Sequence, residues 1–308
     1  MSDTTVTAGT YAVGRRSFDV RVPLAFFAIY VLWGTTYFAI RVAVLEIPPF
    51  FTAGVRFFTA GALLYVVMRL AGERAPSMAQ WRNIAVTALC MFVATYGALF
   101  WAEQYVPSGV ASLLEATLPI MTIALEVFVF RSQRLTRRML IAAGLGFVGV
   151  AWLLAGKGES SFPLFPSAAL LLACMAWSFG AVFTRSMSRP DSALMTAGAQ
   201  MMLGGAVLLA LSEITGELHP FPHVPLRAGL ALLYLVVGGS LFGFTAYVWL
   251  LGRMPATRVA SHAYVNPLVA VALGYFAGGE PLTAGMIFAS VLIVASVFLI
   301  LKPAVSRE

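Results

Sequence analysis

Residues Trp33 to Ala62 read WGTTYFAIRVAVLEIPPFFTAGVRFFTAGA, and residues Trp177 to Ala206 read WSFGAVFTRSMSRPDSALMTAGAQMMLGGA. A constant offset of 144 carries Trp33 onto Trp177, Arg41 onto Arg185, Thr52-Ala53-Gly54 onto Thr196-Ala197-Gly198 and Gly61-Ala62 onto Gly205-Ala206. A second offset, 148, carries Pro107 and Pro119 onto Pro255 and Pro267. After a one-residue deletion, Leu135-Thr136 falls on Leu282-Thr283. One offset held across two apolar segments and the loop between them marks a chain of two homologous halves.

Hydrophobic residues make up 60% of the 308 and charged residues only 11%, with a mean hydropathy of +0.88. A soluble domain carries roughly 25% charged residues, so this chain has too few to cover a water-facing surface. Apolar runs of spanning length recur at about 22–44, 48–70, 82–102, 107–130, 136–155, 166–187, 192–213, 226–251, 256–278 and 282–301. They lack the alternation of a membrane β-barrel and are apolar all round or striped at helical spacing. The expected fold is therefore an all-α integral membrane protein of ten transmembrane helices.

The net charge of +7 is explained by where the charges lie. With a cytoplasmic N-terminus, 16 of the 20 Lys and Arg residues fall in the inner segments and only Arg41, Lys157 and Arg227 in the outer ones, Arg56 lying within a span. That is the positive-inside pattern; it predicts both termini in the cytoplasm and assigns the basicity to topology, with no nucleic acid partner. Five spans per half is an odd number, so the second half enters the membrane from the opposite side. The expected architecture is two inverted five-helix repeats around a central cavity, the build of many secondary transporters working by alternating access. Its parts are a tail over 1–21, a first repeat over 22–155, an extracytoplasmic linker over 156–165, a second repeat over 166–302 and a tail over 303–308.

Several local patterns invite other readings. Arg15-Arg16-Ser17-Phe18 imitates a twin-arginine export signal, but no small-residue cleavage site follows and the apolar run belongs to the repeat. His219 and His223 are four apart, yet Pro220 and Pro222 forbid the helix that would align them on zinc. Cys90 and Cys174, mid-span and far apart, suggest neither a disulfide nor a metal pair. Phosphate-cradling Gly-Lys motifs, zinc-protease histidine pairs and Gly-x-Ser-x-Gly elbows are lacking, so ATP-driven pumping, hydrolysis and a cofactor are not expected.

Within the fourth span, Ser108, Ser112, Glu115, Pro119, Thr122 and Glu126 follow spacings of four and three, one helical face. Such a stripe in lipid faces protein or a water-filled path. The corresponding positions of the ninth span, Ala256, Ala260, Ala263, Pro267, Ala270 and Gly274, are small or Pro. Glu115 and Arg56 lie at equal depth, eight residues from the outer ends of their spans, or about 12 Å. They can form an ion pair that pins two helices, or act separately: Glu115 on a coupled proton or a substrate amine, Arg56 on a substrate carboxylate. Glu126 reads as an interfacial anchor beside Arg131. His262 and Asn266, one turn apart and ending at Pro267, are candidates to bind a polar ligand or relay a proton. Pro119 and Pro267 are candidate hinges. Trp33 and Tyr37, Tyr96 and Phe100, and the repeated Trp177 would line a broad apolar pocket suited to amino acids with large side chains. Trp81, Trp101, Tyr105, Tyr247 and Trp249 read as an interfacial belt.

Certain of these residues resemble a family. Trp33-Gly34, Arg56, Val110-Ala111-Ser112 with Leu118-Pro119, Pro255-Ala256 with Val259-Ala260-Ser261, Asn266-Pro267-Leu268 and Gly279-Glu280-Pro281-Leu282-Thr283 are similar to the EamA-type permeases of the drug/metabolite transporter superfamily. Within that branch the chain resembles the bacterial aromatic amino acid exporters. Arg131-Ser132-Gln133 departs from the pattern, standing where a Gly-x-Glu turn is expected. The resemblance implies an inner-membrane exporter of amino acids or related small metabolites, a monomer or weak homodimer in the lipid bilayer. Nucleosides or drugs are the alternative cargo. A passive channel is the alternative mechanism, and a membrane enzyme lacks any cluster of catalytic groups.

Overall fold

The computed structural model describes residues 19–131, 134–155, 163–220, 223–251, 253, 259 and 262–301. Among the described residues, ten helical segments follow one another: α1 (Arg21–Val44), α2 (Pro49–Leu70), α3 (Met78–Ala102), α4 (Ser108–Val129), α5 (Arg137–Ala155), α6 (Leu164–Ser186), α7 (Ala193–Ile214), α8 (Leu226–Leu250), α9 (His262–Gly278) and α10 (Ala284–Leu301). The first eight are each long and apolar enough to cross a membrane, and α9 and α10 are shorter apolar helices. No strand occurs among the described residues. The Pro255-Ala256 and Ser261 positions, most of the linker and the tails beyond 19 and 301 lie outside those residues. Large apolar side chains such as Phe27, Val67, Phe147, Leu172 and Phe276 are exposed on the outer surface. On an all-helical bundle, that surface suits hydrocarbon as its solvent.

Local chemistry sets the helix ends. Pro49 begins α2 and Pro107 precedes α4, where the missing N–H costs nothing. Ser77 and Gln80 form a reciprocal capping box at α3. Gly72, Gly216 and Gly279, all at positive φ, end α2, α7 and α9, and each is followed by a glutamate. Arg131, which the second offset aligns with Gly279, adopts the same left-handed conformation with φ 52°.

Pro119 has no N–H to give the carbonyl of Glu115, and α4 breaks there: it turns through Ala116 and Thr117 and resumes at Leu118. The expected single polar face is thereby divided. Pro267, by contrast, sits inside an uninterrupted α9. Glu126 is buried. Both α3 and α8 widen into π-helical turns, Leu89–Ala94 and Leu235–Gly243, whose positions correspond under the second offset.

The centre is a seam without side chains. A Cβ on Gly61 would lie 2.2 Å from Met202 N, and a Cβ on Gly205 would lie 2.2 Å from Phe58 N. Gly54 faces Leu209 N and Gly198 faces Tyr65 N, each at 2.9 Å. Adding 144 to the α2 member of one contact and subtracting it from the α7 member gives the other contact, so α2 and α7 meet by the same contact made in both directions. Their residue numbers run oppositely, so the two cross antiparallel. α5 and α10 repeat this arrangement, with Gly146 against Ser296 and Gly149 against Ile293.

Two glutamates of the second half clamp helix starts of the first. Phe50 N and Phe51 N donate to Glu217 Oε1 (3.3 Å) and Oε2 (2.8 Å) at the start of α2. Ser108 N and Gly109 N donate to Glu280 Oε1 (2.8 Å) and Oε2 (3.1 Å) at the start of α4. A carboxylate there satisfies orphan N–H groups and meets the positive end of the helix dipole. Beside Glu280 the surface is cut away: a Cβ on Gly274 would come within 2.4 Å of its Oε2. Glu280→Gln is expected to lower the unfolding temperature in detergent by roughly 4–8 °C, a loss of about 2 kcal/mol. Glu73→Gln, in a half-exposed glutamate without such contacts, serves as the control; equal shifts would remove the clamp from the account.

Candidate functional site

Seven helices, α1, α2, α3, α4, α6, α8 and α9, enclose about 800 Å³ of space free of protein atoms, the mouth included. Trp33 and Tyr37 of α1, Arg56 of α2, Tyr96 of α3, Ser112 and Glu115 of α4, Trp177 of α6, and His262, Asn266 and Pro267 of α9 all line it. Two expected members stand back. Phe100 is fully buried behind Tyr96, ring centres 6.5 Å apart, and Pro119 lies beyond the break it causes.

Arg56 and Glu115 do not bond each other. Glu115 Oε2 accepts from the Tyr37 hydroxyl at 2.9 Å, while Oε1 has no hydrogen-bond partner. Arg56 donates through Nε to Ser240 Oγ at 3.0 Å, and Nη1 is left without a partner. The guanidinium lies over Phe57, Tyr96 and Phe100, 4.6, 5.3 and 5.8 Å from the ring centres. These quadrupolar contacts supply part of what a desolvated cation loses. So the basic group ties α2 to α8 and the acidic group ties α4 to α1, each keeping one polar atom in reserve.

The aromatic lining is itself duplicated. Trp33 packs against Phe244 at 6.0 Å and Trp177 against Tyr96 at 5.8 Å, and the offsets 144 and 148 interchange these pairs. The two tryptophans thus stand in separate aromatic groups, bridged by Phe92 and Phe244 at 6.2 Å. Charge is not duplicated: Glu115 corresponds to Ala263, and Arg56 corresponds to Gln200, whose amide donates to Thr87 Oγ1 at 2.7 Å. His262 stands edge-on to Trp33 at 5.0 Å and lies 3.4 Å from the Asn266 amide through Nδ1.

Sequence reasoning missed Thr36, Thr95, Ser240 and Tyr247. Tyr247 belongs to the cavity, 5.0 Å from Trp33, and not to the interfacial belt. Gly238-Gly239-Ser240, a small-residue cluster inside an apolar span, was the available signal for the rest.

The sequence profile of the EamA-like transporter family matches residues 21–155 and again residues 165–302. The chain belongs to this family. It is thus an EamA-type member of the drug/metabolite transporter superfamily, built of two copies of one unit. The inner membrane transporter YedA of Escherichia coli (strain K12) is 34% identical over 293 residues, 92% of this chain and 94% of that one. Protein PecM of Dickeya dadantii is 29% identical, covering 89% of this chain and 92% of its own. A probable amino-acid metabolite efflux pump of Salmonella typhimurium is 27% identical, over 88% and 91%. A solved crystal structure with 19% identity superposes with a TM-score of 0.64 across 90% of this EamA-like chain and 95% of its own, a likeness of fold.

Proposed function

We propose that the chain is a secondary transporter that exports aromatic and other hydrophobic amino acids across a bacterial inner membrane. The observation that carries this reading is the pair of unspent charges in an aromatic cavity: Arg56 Nη1 for a carboxylate, Glu115 Oε1 for an ammonium. A zwitterion satisfies both, and its apolar side chain replaces water against Trp33, Tyr96 and Trp177. A nucleoside could stack on the same rings but offers no ion to either charge. The likeness to the probable amino-acid metabolite efflux pump of Salmonella typhimurium supports the same class of cargo.

For the cycle, residues 22–155 and 166–302 act as inverted five-helix units that rock about the antiparallel α2–α7 seam, exposing the cavity to alternate faces. With both termini cytoplasmic, the end bearing Glu217 and Glu280 faces outward. Reconstituted liposomes are expected to take up labelled phenylalanine with saturation, as a carrier does and a pore does not. Trp177→Ala should weaken uptake about tenfold, as for a lost aromatic contact worth about 1.4 kcal/mol, while Trp249→Ala changes it little. Equal effects of the two would remove the aromatic pocket from the mechanism. Uptake that never saturates would turn the reading toward a channel.

A further inference from the structure

The π-helical turn of α8 holds a cavity charge belonging to the other half of the molecule. In ordinary helical positions here, hydroxyls bond back to their own carbonyls: Thr35 to Val31, Thr122 to Leu118 and Ser290 to Met286. Ser240 does not; its buried oxygen accepts from Arg56 Nε instead, at 3.0 Å. The residue before it makes room for this contact. A Cβ on Gly239 would stand 3.0 Å from Arg56 Nη2 and 2.8 Å from Thr36 Cγ2. The Gly239 carbonyl accepts from Trp33 Nε1 at 3.0 Å, and a Cβ on Gly243 would meet that same indole nitrogen at 2.5 Å. One widened turn, stripped of side chains, therefore seats both the guanidinium and the indole. Wide turns of this kind gather at functional sites because they expose backbone and re-aim neighbours.

We infer that Ser240, with the space left by Gly239, is a positioning residue that sets selection for the substrate carboxylate. The planar guanidinium is pinned at Nε and stacked on rings, so it cannot swivel, and Nη1 is presented at a set place to an incoming carboxylate. Without the pin, Arg56 keeps its charge but loses its aim. The inference rests on the amino-acid reading above and adds the element that discriminates an amino acid from the amine lacking its carboxylate.

The test compares phenylalanine transport, and its inhibition by phenethylamine, in liposomes bearing wild-type protein, S240A, S240G or S240T. Expected for S240A is a KM for phenylalanine raised about tenfold with the maximal rate within about twofold. Inhibition by phenethylamine should not change, so preference for the carboxylate falls by the same factor. S240T, which retains the hydroxyl, restores the wild-type KM. Should S240A fail to fold, S240G removes the same oxygen in a turn already rich in glycine and gives the same readout. Unchanged KM in the hydroxyl-free variants, or an equal loss for acid and amine, overturns the inference while leaving amino-acid transport standing. A wild-type protein that moves no amino acid sinks the underlying reading instead.

Discussion

Arg56→Ala is expected to yield folded protein that transports phenylalanine at about a hundredth of the wild-type rate under subsaturating conditions, since a charge-assisted carboxylate grip is worth about 3 kcal/mol. Folding should survive because the side chain repays so little of its own burial. Its one hydrogen-bond acceptor, Ser240, has the alternative, common among the helical hydroxyls here, of bonding a carbonyl one turn back. Removing a desolvated cation from the membrane interior often costs no stability at all. Arg56→Lys separates charge from geometry. The ammonium keeps the positive sign but loses the planar fork and the stacking on Phe57, Tyr96 and Phe100, so a loss of about tenfold is expected. Melting temperature and transport are measured on the same preparations. Wild-type transport by Arg56→Ala would take the carboxylate site away from this residue, and unfolding would recast Arg56 as a structural cation.

The second large effect is expected at Gly61. Gly61→Val places branched carbon where Met202 N lies 2.2 Å from even a Cβ, a backbone neighbour with no rotamer to change. Forced separation of α2 from α7 should cost about 3 kcal/mol or more. The variant is expected to be recovered from membranes in small amount and to melt roughly 6–12 °C lower in detergent. Gly205→Val is expected to match it, because Gly205 meets Phe58 N by the equivalent contact. Gly144 of α5, beside which nothing lies within 4 Å, is the contrast: Gly144→Val should be nearly neutral. A wild-type melting temperature in either seam variant would show the crossing to be loose.

Much of this could be read before any coordinates. The offset of 144 named Gly54, Gly61, Gly198 and Gly205 as matched pairs, and small residues recurring within apolar spans already suggest close backbone approach. Most of the cavity lining was legible too, because a charge or a clustered aromatic in a membrane span must face protein or ligand. What escaped was the partner of each charge. Equal depth left open whether Arg56 pairs with Glu115 or each acts separately; rotation about each helix axis, set by packing, turns Arg56 to Ser240 and Glu115 to Tyr37. The widened turns of α3 and α8 escaped for a related reason: an extra residue in one turn follows from neighbours' shapes and leaves no periodic trace. Tyr247 was placed in the belt because it lies near the end of its span, whereas it lines the cavity.

The helix-start clamps have a consequence for the direction of work. Duplication supplied the same Gly-Glu turn twice, at Gly72-Glu73 and Gly216-Glu217, with matching backbone bonds back to Met68 and Ser212. Only the later copy reaches a helix start; the start of α7 is served by Ser192 Oγ and Met195 N at 3.2 Å. Parting the two halves at the Glu217 and Glu280 end would therefore break four charge-assisted hydrogen bonds, and among the described residues the matching Gly72-Glu73 turn makes none to a helix start. Two copies of one unit are thus held unequally at these two turns. In the proposed cycle the resting equilibrium is expected to lean toward the opposite face, so that cargo arriving there enters at lower cost.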